Sequence, residues 1–333
     1  MRVPQAMNTI SVVIPVYRGA ETIPALVAEL APFTNDCVTP GGKAFRVAEV
    51  ILVWDRGPDE SDGVIRRLAA QHDWIRPVWL ARNSGQHAAT LAGISSSGGK
   101  WIVTMDEDGQ HDPAAISDML DVAFEERAQL VYAAPTNPPP HGAVRNGASR
   151  VAKGVFRTLL SDGSMPPFHS FRLILGEVGR SIAAFTGPGI YFDVALSWVV
   201  GTSATCPVAM RDEGRPPGTY SYAKLFGHFA RLVLSSGTRP LRVVTVLGAF
   251  FGAFGIVLAI VVVLMRIFGD VPVQGWTSVV VSMLIVGGIT LLSLGVIAEY
   301  LGVAVKAAMG RPLYTLSSDP AAVFDEVEDP RGR

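Results

Sequence analysis

Apolar and polar positions over the first hundred residues alternate between short β-branched runs and stretches with helical spacing. Ile10 to Val16 reads as a buried strand that ends in Pro15-Val16-Tyr17, and Glu21 to Leu30 as an amphipathic helix. The same pattern predicts strands at Val47 to Trp54, Val78 to Ala81 and Trp101 to Met105, with helices at Val64 to Gln71 and His87 to Ser95. Regular alternation of this kind predicts a parallel sheet covered by helices. No Gly-x-Gly-x-x-Gly follows the first strand, so the dinucleotide-binding fingerprint is absent, and no internal repeat of fixed period is visible. Pro135 to Gly142 and Pro216-Pro217-Gly218 read as a loop and a bend.

Further along, the pattern changes character. Val243 to Met265 and Ser278 to Ala298 carry no charge, and each is long enough as a helix to cross a hydrocarbon core of roughly 30 Å. The short connection holds Arg266, Asp270 and Trp276, a candidate interfacial anchor. Arg231, Arg239 and Arg242 precede the first run, and Lys306 and Arg311 follow the second. The positive-inside rule then places both ends of this hairpin in the cytoplasm. Leu225 to Leu234, with His228 and Arg231 among apolar positions, suits a helix lying in the membrane interface. Gly248 and Gly252 fit a close helix contact, within the hairpin or in a homo-oligomer. The expected organisation is a cytoplasmic catalytic domain over 1–224, an interfacial helix over 225–241, two membrane helices within 242–302 (about 243–265 and 278–298) and a cytoplasmic tail over 303–333.

Composition agrees with a lipid-associated chain: 49% of the residues are hydrophobic, only 17% are charged, and mean hydropathy is +0.34. A formal net charge of -1 argues against nucleic acid as a partner, because phosphate-backbone binding needs a basic surface. Cys37 and Cys206 are too few for a disulfide framework and lack metal-ligand spacing. No apolar signal-peptide core precedes the first strand, so a chain that is not secreted is expected.

The candidate chemistry gathers after Trp101-Ile-Val-Thr-Met, where an apolar run ends in Asp106-Glu-Asp108-Gly-Gln110-His-Asp112-Pro113. Carboxylates at the carboxyl edge of an open α/β sheet stand where such folds bind ligands. Asp106 and Asp108 can converge on one hard divalent cation, and Mg²⁺ favours one or two protein carboxylates together with substrate phosphates. The plain alternative is a solvated acidic loop. Asp112 before Pro113 reads as a helix N-cap.

Taken together these segments resemble the GT-A, family 2 glycosyltransferases, and among them the polyprenyl-phosphate sugar transferases. The likeness is carried by Ser11-Val-Val-Ile-Pro15-Val-Tyr17, by Ala81-Arg-Asn83-Ser-Gly85-Gln86 through Gly93, by Asp106 to Pro113, and by Arg239-Pro-Leu-Arg242 leading into the two apolar runs. Glu299-Tyr300-Leu-Gly302 and Arg311-Pro312-Leu-Tyr314 extend it. It implies a Rossmann-like, mostly parallel catalytic domain followed by a two-helix transmembrane hairpin. It also implies inverting transfer of one sugar from a nucleotide diphosphate sugar to a polyprenyl phosphate at the cytoplasmic membrane face. In that reading Asp106, Asp108 and Gln110 hold Mg²⁺ or Mn²⁺, and Pro15, Tyr17, Asp55, Arg82, Asn83 and Gln86 meet the nucleotide sugar. Arg172, in Phe171-Arg172-Leu173, and Asp193 stand at the reacting groups, while Arg211 and Arg215 take the acceptor phosphate.

Some positions depart from the family pattern. Its second strand commonly ends Asp-Asp-Gly-Ser, whereas this chain has Trp54-Asp55-Arg56-Gly57, so Trp54 either stacks on a base or packs inside. That departure keeps open a membrane-tethered nucleotide-sugar-binding scaffold without turnover. A processive polysaccharide synthase lacks its Gln-x-x-Arg-Trp segment here, and a transporter is disfavoured by the absence of charge within the two runs.

Overall fold

The structure is a computed structural model that describes residues 7–137, 168–187, 190–211, 239–268, 275–310 and 312–322. The described residues fall into two compact units: those up to residue 211 together with 312–322 form one, and 239–310 the other.

The first unit is built on a nine-stranded sheet. Its strands are β1 (Asn8–Val16), β2 (Cys37–Val38), β3 (Ala44–Trp54), β4 (Ile75–Leu80), β5 (Trp101–Thr104), β6 (Leu130–Pro135), β7 (Arg172–Leu175), β8 (Ser203–Val208) and β9 (Leu316–Ser317). The order is β8-β6-β7-β5-β1-β3-β4-β9, with β2 beside β3. Parallel pairing joins β1 to β3 and β5, β3 to β4, and β6 to β8; β2, β7 and β9 run against their neighbours. The sheet is thus mixed but mostly parallel, as the family resemblance implies. Apolar alternation reports that a strand is buried but not its direction, and β7 is as apolar as β5 and β6, against which it runs.

The side-chain period of two sends successive residues to opposite faces. Ile10, Val12, Ile14 and Val16 of β1 join Val50 and Leu52 in one apolar cluster, while Val13, Ile51 and Val53 belong to the other. The first face is covered by α1 (Ile23–Leu30), through Leu26, Val27 and Leu30, and by α4 (Ala115–Glu125), through Ile116, Met119 and Leu120. At the edge of this face α2 (Ser61–Gln71) adds Ile65. The second face carries α3 (Gln86–Ser96), α5 (Gly176–Phe185) and α6 (Phe192–Val199). Helix α3 lies so close to the strands that a side chain at Gly93 would run into Val13 and Val53, which explains a glycine in the middle of a helix. Observed bounds lie within a few residues of those expected, with β3 and β4 each starting three residues earlier than their apolar runs suggest.

Three elements are tied by Glu49 on β3. Its carboxylate accepts Ser11 Oγ at 2.6 Å, the Gly98 amide at 2.6 Å and Arg76 Nη1 at 2.6 Å. Burial pushes this carboxyl up, but the bonds from Ser11, Gly98 and Arg76 outweigh burial and leave it below its ordinary value. Its contribution is complete above the ordinary carboxylate value of 4.5 and is lost as pH falls through the lower native value. Glu49→Gln is expected to cost about 1–2 kcal/mol near neutrality and to flatten the acid limb of the stability curve. Denaturant melts from pH 7 to pH 3 measure both, and an acid limb parallel to wild type would contradict the assignment.

In the second unit, α7 (Arg239–Phe268) and α8 (Trp276–Ala308) contain the two apolar runs expected at 243–265 and 278–298. Among the described residues one stretch, Ile285–Val305, is long and apolar enough to cross a membrane, with mean hydropathy 1.8 and none of it buried; Val244–Val257 is shorter. The expected interfacial segment lies outside the described residues up to residue 238, as do Pro216 to Gly218 and most of the Pro135 to Gly142 loop.

Candidate active site

Parallel strands deliver their carboxyl ends to one edge of the sheet. There β1 ends before Tyr17, β3 before Asp55, β4 before Ala81 and β5 before Met105, with β1 flanked by β3 on one side and β5 on the other. This is the switch position at which open α/β sheets form a crevice. Because β7 runs the other way, its start, Phe171 and Arg172, faces the same edge.

The acidic loop after β5 is held from several sides. Asp106 Oδ1 accepts Gln86 Nε2 at 2.5 Å and Oδ2 accepts Ser170 Oγ at 2.6 Å. The Asp106 amide donates to His111 Nδ1 at 3.0 Å, and His111 Nε2 lies 3.7 Å from Asp106 Oδ2. His111 is buried and stacks on Phe171, with ring centroids 4.7 Å apart. Burial lowers its pKa despite the carboxylates of Asp106 and Asp108. Among the described residues Asp108 Oδ1 accepts only the nearby Gln110 amide, at 3.0 Å, which tightens the loop. Asp112 accepts the Ala114 amide at 2.9 Å, so it caps the turn that precedes α4 and not the first turn of the helix.

Glu107, between the two aspartates, reaches back to the β1 turn. It accepts the amides of Tyr17 at 2.9 Å and Arg18 at 3.0 Å. Tyr17 itself is 41% exposed, while Pro15 is buried opposite Val53. The same turn is closed from β3. A side chain at Gly57 would overlap the Tyr17 carbonyl, and Asp59 accepts the Ala20 amide at 3.1 Å. Asp55, only 2% exposed, accepts the amides of Ser84 at 2.6 Å and Gly85 at 2.8 Å, where α3 begins. Burial raises its carboxyl pKa against those two bonds. Arg82 and Asn83, just before, are exposed.

Trp54 takes the packing alternative. It is 8% exposed and meets Trp79 edge to face at 5.7 Å. Arg172 and Asp193 pair with one another in the interior: Arg172 Nη1 bonds Asp193 Oδ1, Arg172 Nε donates to Thr104 Oγ1 at 3.0 Å, and Tyr132 Oη donates to the same Asp193 oxygen at 2.9 Å. The guanidinium also stands 4.8 Å from the Phe192 ring centroid. Asp193 therefore turns into the core instead of capping α6.

Arg211 joins the acidic loop. Its amide donates to the Gln110 carbonyl at 3.0 Å, and its guanidinium pairs with Glu29 at 2.6 Å and Asp112 at 3.0 Å. Arg215 lies outside the described residues. Sequence reasoning brought out Asp106, Asp108 and Asp55 but assigned no role to Glu107, His111 or Ser170. Their partners are 90, 5 and 64 residues away, and only the Gln110-His111 pair directly after the aspartates offered a local signal.

A family profile for glycosyl transferase family 2 matches residues 11–183, more than half of the chain, and spans β1 to α5. The chain belongs to glycosyl transferase family 2. It is thus a glycosyltransferase, and its sheet with carboxylates at the β5 edge is the GT-A fold. A bactoprenol glucosyl transferase of Shigella phage SfX is 25% identical over 93% of this chain and 99% of its own length. An undecaprenyl-phosphate 4-deoxy-4-formamido-L-arabinose transferase of Sodalis glossinidius is 24% identical over 98% and 100%. A mycobacterial protein of known crystal structure, 18% identical, covers 70% of this chain and 74% of its own with a TM-score of 0.50, a likeness of fold.

Proposed function

We propose that this family 2 glycosyltransferase moves a single sugar, with inversion, from a nucleotide diphosphate sugar to a polyprenyl phosphate at the cytoplasmic face of a membrane. The observation that carries the reading is the gathering, at one sheet edge, of the Tyr17 turn, the Ser84–Gly85 amides, the Asp106–Gln110 loop and Arg211. Relatives named for bactoprenol and undecaprenyl phosphate that align over almost their whole length support the acceptor class.

Two half-exposed carboxylates beside Gln110 form a donor set suited to Mg²⁺ or Mn²⁺, since such ions complete their shells with substrate phosphates and water. Asp106, Asp108 and Gln110 would hold the ion, whose charge would stabilise the departing diphosphate. Among the described residues no group of three or more His, Cys, Asp or Glu gathers at one point. Gln86 and Ser170 keep Asp106 aimed. Tyr17, Arg82 and Asn83 are proposed to meet the nucleotide, with buried Pro15 and Asp55 shaping the turns that carry them. The acceptor phosphate is already anionic, so its oxygen attacks the anomeric carbon while the bond to the diphosphate oxygen breaks, and no general base is required. Arg211 offers that phosphate a forked cation. Its present pairs are 40% exposed, worth roughly 0.2–1 kcal/mol by the usual measure, and so readily exchanged. Arg215 is proposed as its companion. The Arg172–Asp193 pair supports the site from below through Thr104.

In the proposed topology α7 and α8 both cross the bilayer as a hairpin whose two ends lie on the catalytic side; the pairing of Leu316 and Ser317 with β4 of the catalytic sheet supports it. Membranes containing the protein, given a panel of radiolabelled nucleotide sugars and polyprenyl phosphate, are expected to move label into the organic phase with the anomeric configuration inverted. Nucleotide-sugar binding without any lipid-linked product would overturn the reading.

A further inference from the structure

Beyond α8 the chain comes back to the outer strand of the catalytic sheet. Leu316 and Ser317 pair antiparallel with β4, Leu80 facing Leu316 and Trp79 facing Ser317. One residue earlier, the Thr315 carbonyl accepts the Ala81 amide at 2.9 Å. Leu313 and Tyr314 pack against the apolar cluster that contains Val78, Leu80 and α3. Two residues after the strand, Asp319 accepts Arg66 Nε through both carboxylate oxygens at 2.9 Å, and Arg66 lies 5.2 Å over the Trp79 ring. The Asp319 carboxylate also accepts the Ala321 amide at 3.0 Å, so the far end of the segment is fastened as well.

This docking closes an otherwise open sheet edge, and its position is specific. Ala81 is the residue before Arg82 and Asn83. On their other side, Ser84 and Gly85 are fixed to buried Asp55. Exposed Arg82 and Asn83 therefore stand between two anchors, one from the sheet interior and one from the returning tail.

We infer that residues 313–319 are a positioning element for the nucleotide-sugar loop: by completing the sheet at β4 they hold Arg82 and Asn83 in the arrangement that receives the donor. This rests on the reading of those two residues as donor contacts. It makes the segment after the long helices a working part of the catalytic domain. A chain cut after α8 keeps the acidic loop and Arg211 yet loses one of the two supports of its donor loop.

The test compares full-length protein, a variant ending at Gly310, and Asp319→Ala, all in membranes. The truncation is expected to raise KM for the nucleotide sugar about tenfold or more while KM for polyprenyl phosphate stays within about twofold. A synthetic peptide of residues 312–333 added in trans should restore donor KM. Asp319→Ala, which keeps the strand, is expected to raise donor KM about two- to threefold and to weaken binding of UDP or GDP by calorimetry to the same extent. Unchanged donor KM in the truncation would overturn the inference. So would a parallel loss of kcat, acceptor KM and thermal stability without peptide rescue, which is what a purely structural role would give. Should the truncation not fold, unchanged nucleotide affinity in Asp319→Ala overturns it equally. Failure of the wild-type chain to bind any nucleotide diphosphate or its sugar would instead refute the donor reading.

Discussion

Asp108→Ala is expected to lower sugar transfer by about a thousandfold or more, equivalent to roughly 4 kcal/mol of transition-state stabilisation. Among the described residues the Asp108 side chain makes one local hydrogen bond, to the Gln110 amide, so its removal is expected to leave the fold intact. Thermal unfolding within about 2 °C of wild type would confirm that only the chemistry changed. Asp106→Ala is expected to be as inactive but less clean, because Gln86 and Ser170 both donate to that carboxylate and would lose their acceptor. Chelation should abolish transfer by the wild type, and added Mg²⁺ or Mn²⁺ should restore it. Transfer by Asp108→Ala within tenfold of wild type would remove the diphosphate-anchor assignment. The measurement is organic-soluble label under saturating donor and lipid phosphate.

The second large effect is on stability and concerns the ion pair under the site. Arg172 is 6% exposed and Asp193 5%, and each is the other's charge partner. Removing one side leaves a buried charge without its counter-charge, which typically costs about 3–5 kcal/mol. Arg172→Ala and Asp193→Ala are therefore each expected to destabilise the protein by that amount. Replacing both together, Arg172→Met with Asp193→Leu, should cost clearly less than the sum of the two single losses, because neither charge then remains. Burial, reinforced by the neighbouring Asp193 carboxylate, pushes the Tyr132 phenol well above its ordinary value, so it stays a neutral donor to Asp193 throughout the working range. Denaturant unfolding of the four proteins in detergent gives the coupling. Additive costs would show that the pair does not act as a unit.

The two effects separate what lies at the rim from what lies beneath it, and the sequence reads the rim better. Each loop residue follows closely on a strand whose apolar run is visible, so parallel strands alone place Tyr17, Asp55, Arg82 and Asp106 at one edge. The interior pair could not be read that way. Arg172 and Asp193 stand as candidates for the reacting groups only through the family resemblance, and burial of both charges is uncommon enough that no local pattern announces it. Their partnership depends on β7 inserting antiparallel between β5 and β6, which brings Arg172 opposite both Thr104 and Tyr132. A four-residue apolar strand carries no mark of its direction. Glu107 is a similar case: nothing local in the sequence shows that its carboxylate accepts two amides from the turn after β1, 90 residues away.

By itself the sequence determined the central strands, the covering helices, the two long apolar runs and the carboxylates that follow β5. These are encoded locally, in residue periodicity and in the residue types that end each run. Tertiary structure alone decided that Trp54 packs on Trp79, that Asp55 fastens the start of α3, that Arg211 reaches the acidic loop, and that the tail closes the sheet beside the donor loop. Those facts join residues far apart in the chain. Such contacts depend on which strands become neighbours, and nearest-residue patterning carries no record of that choice.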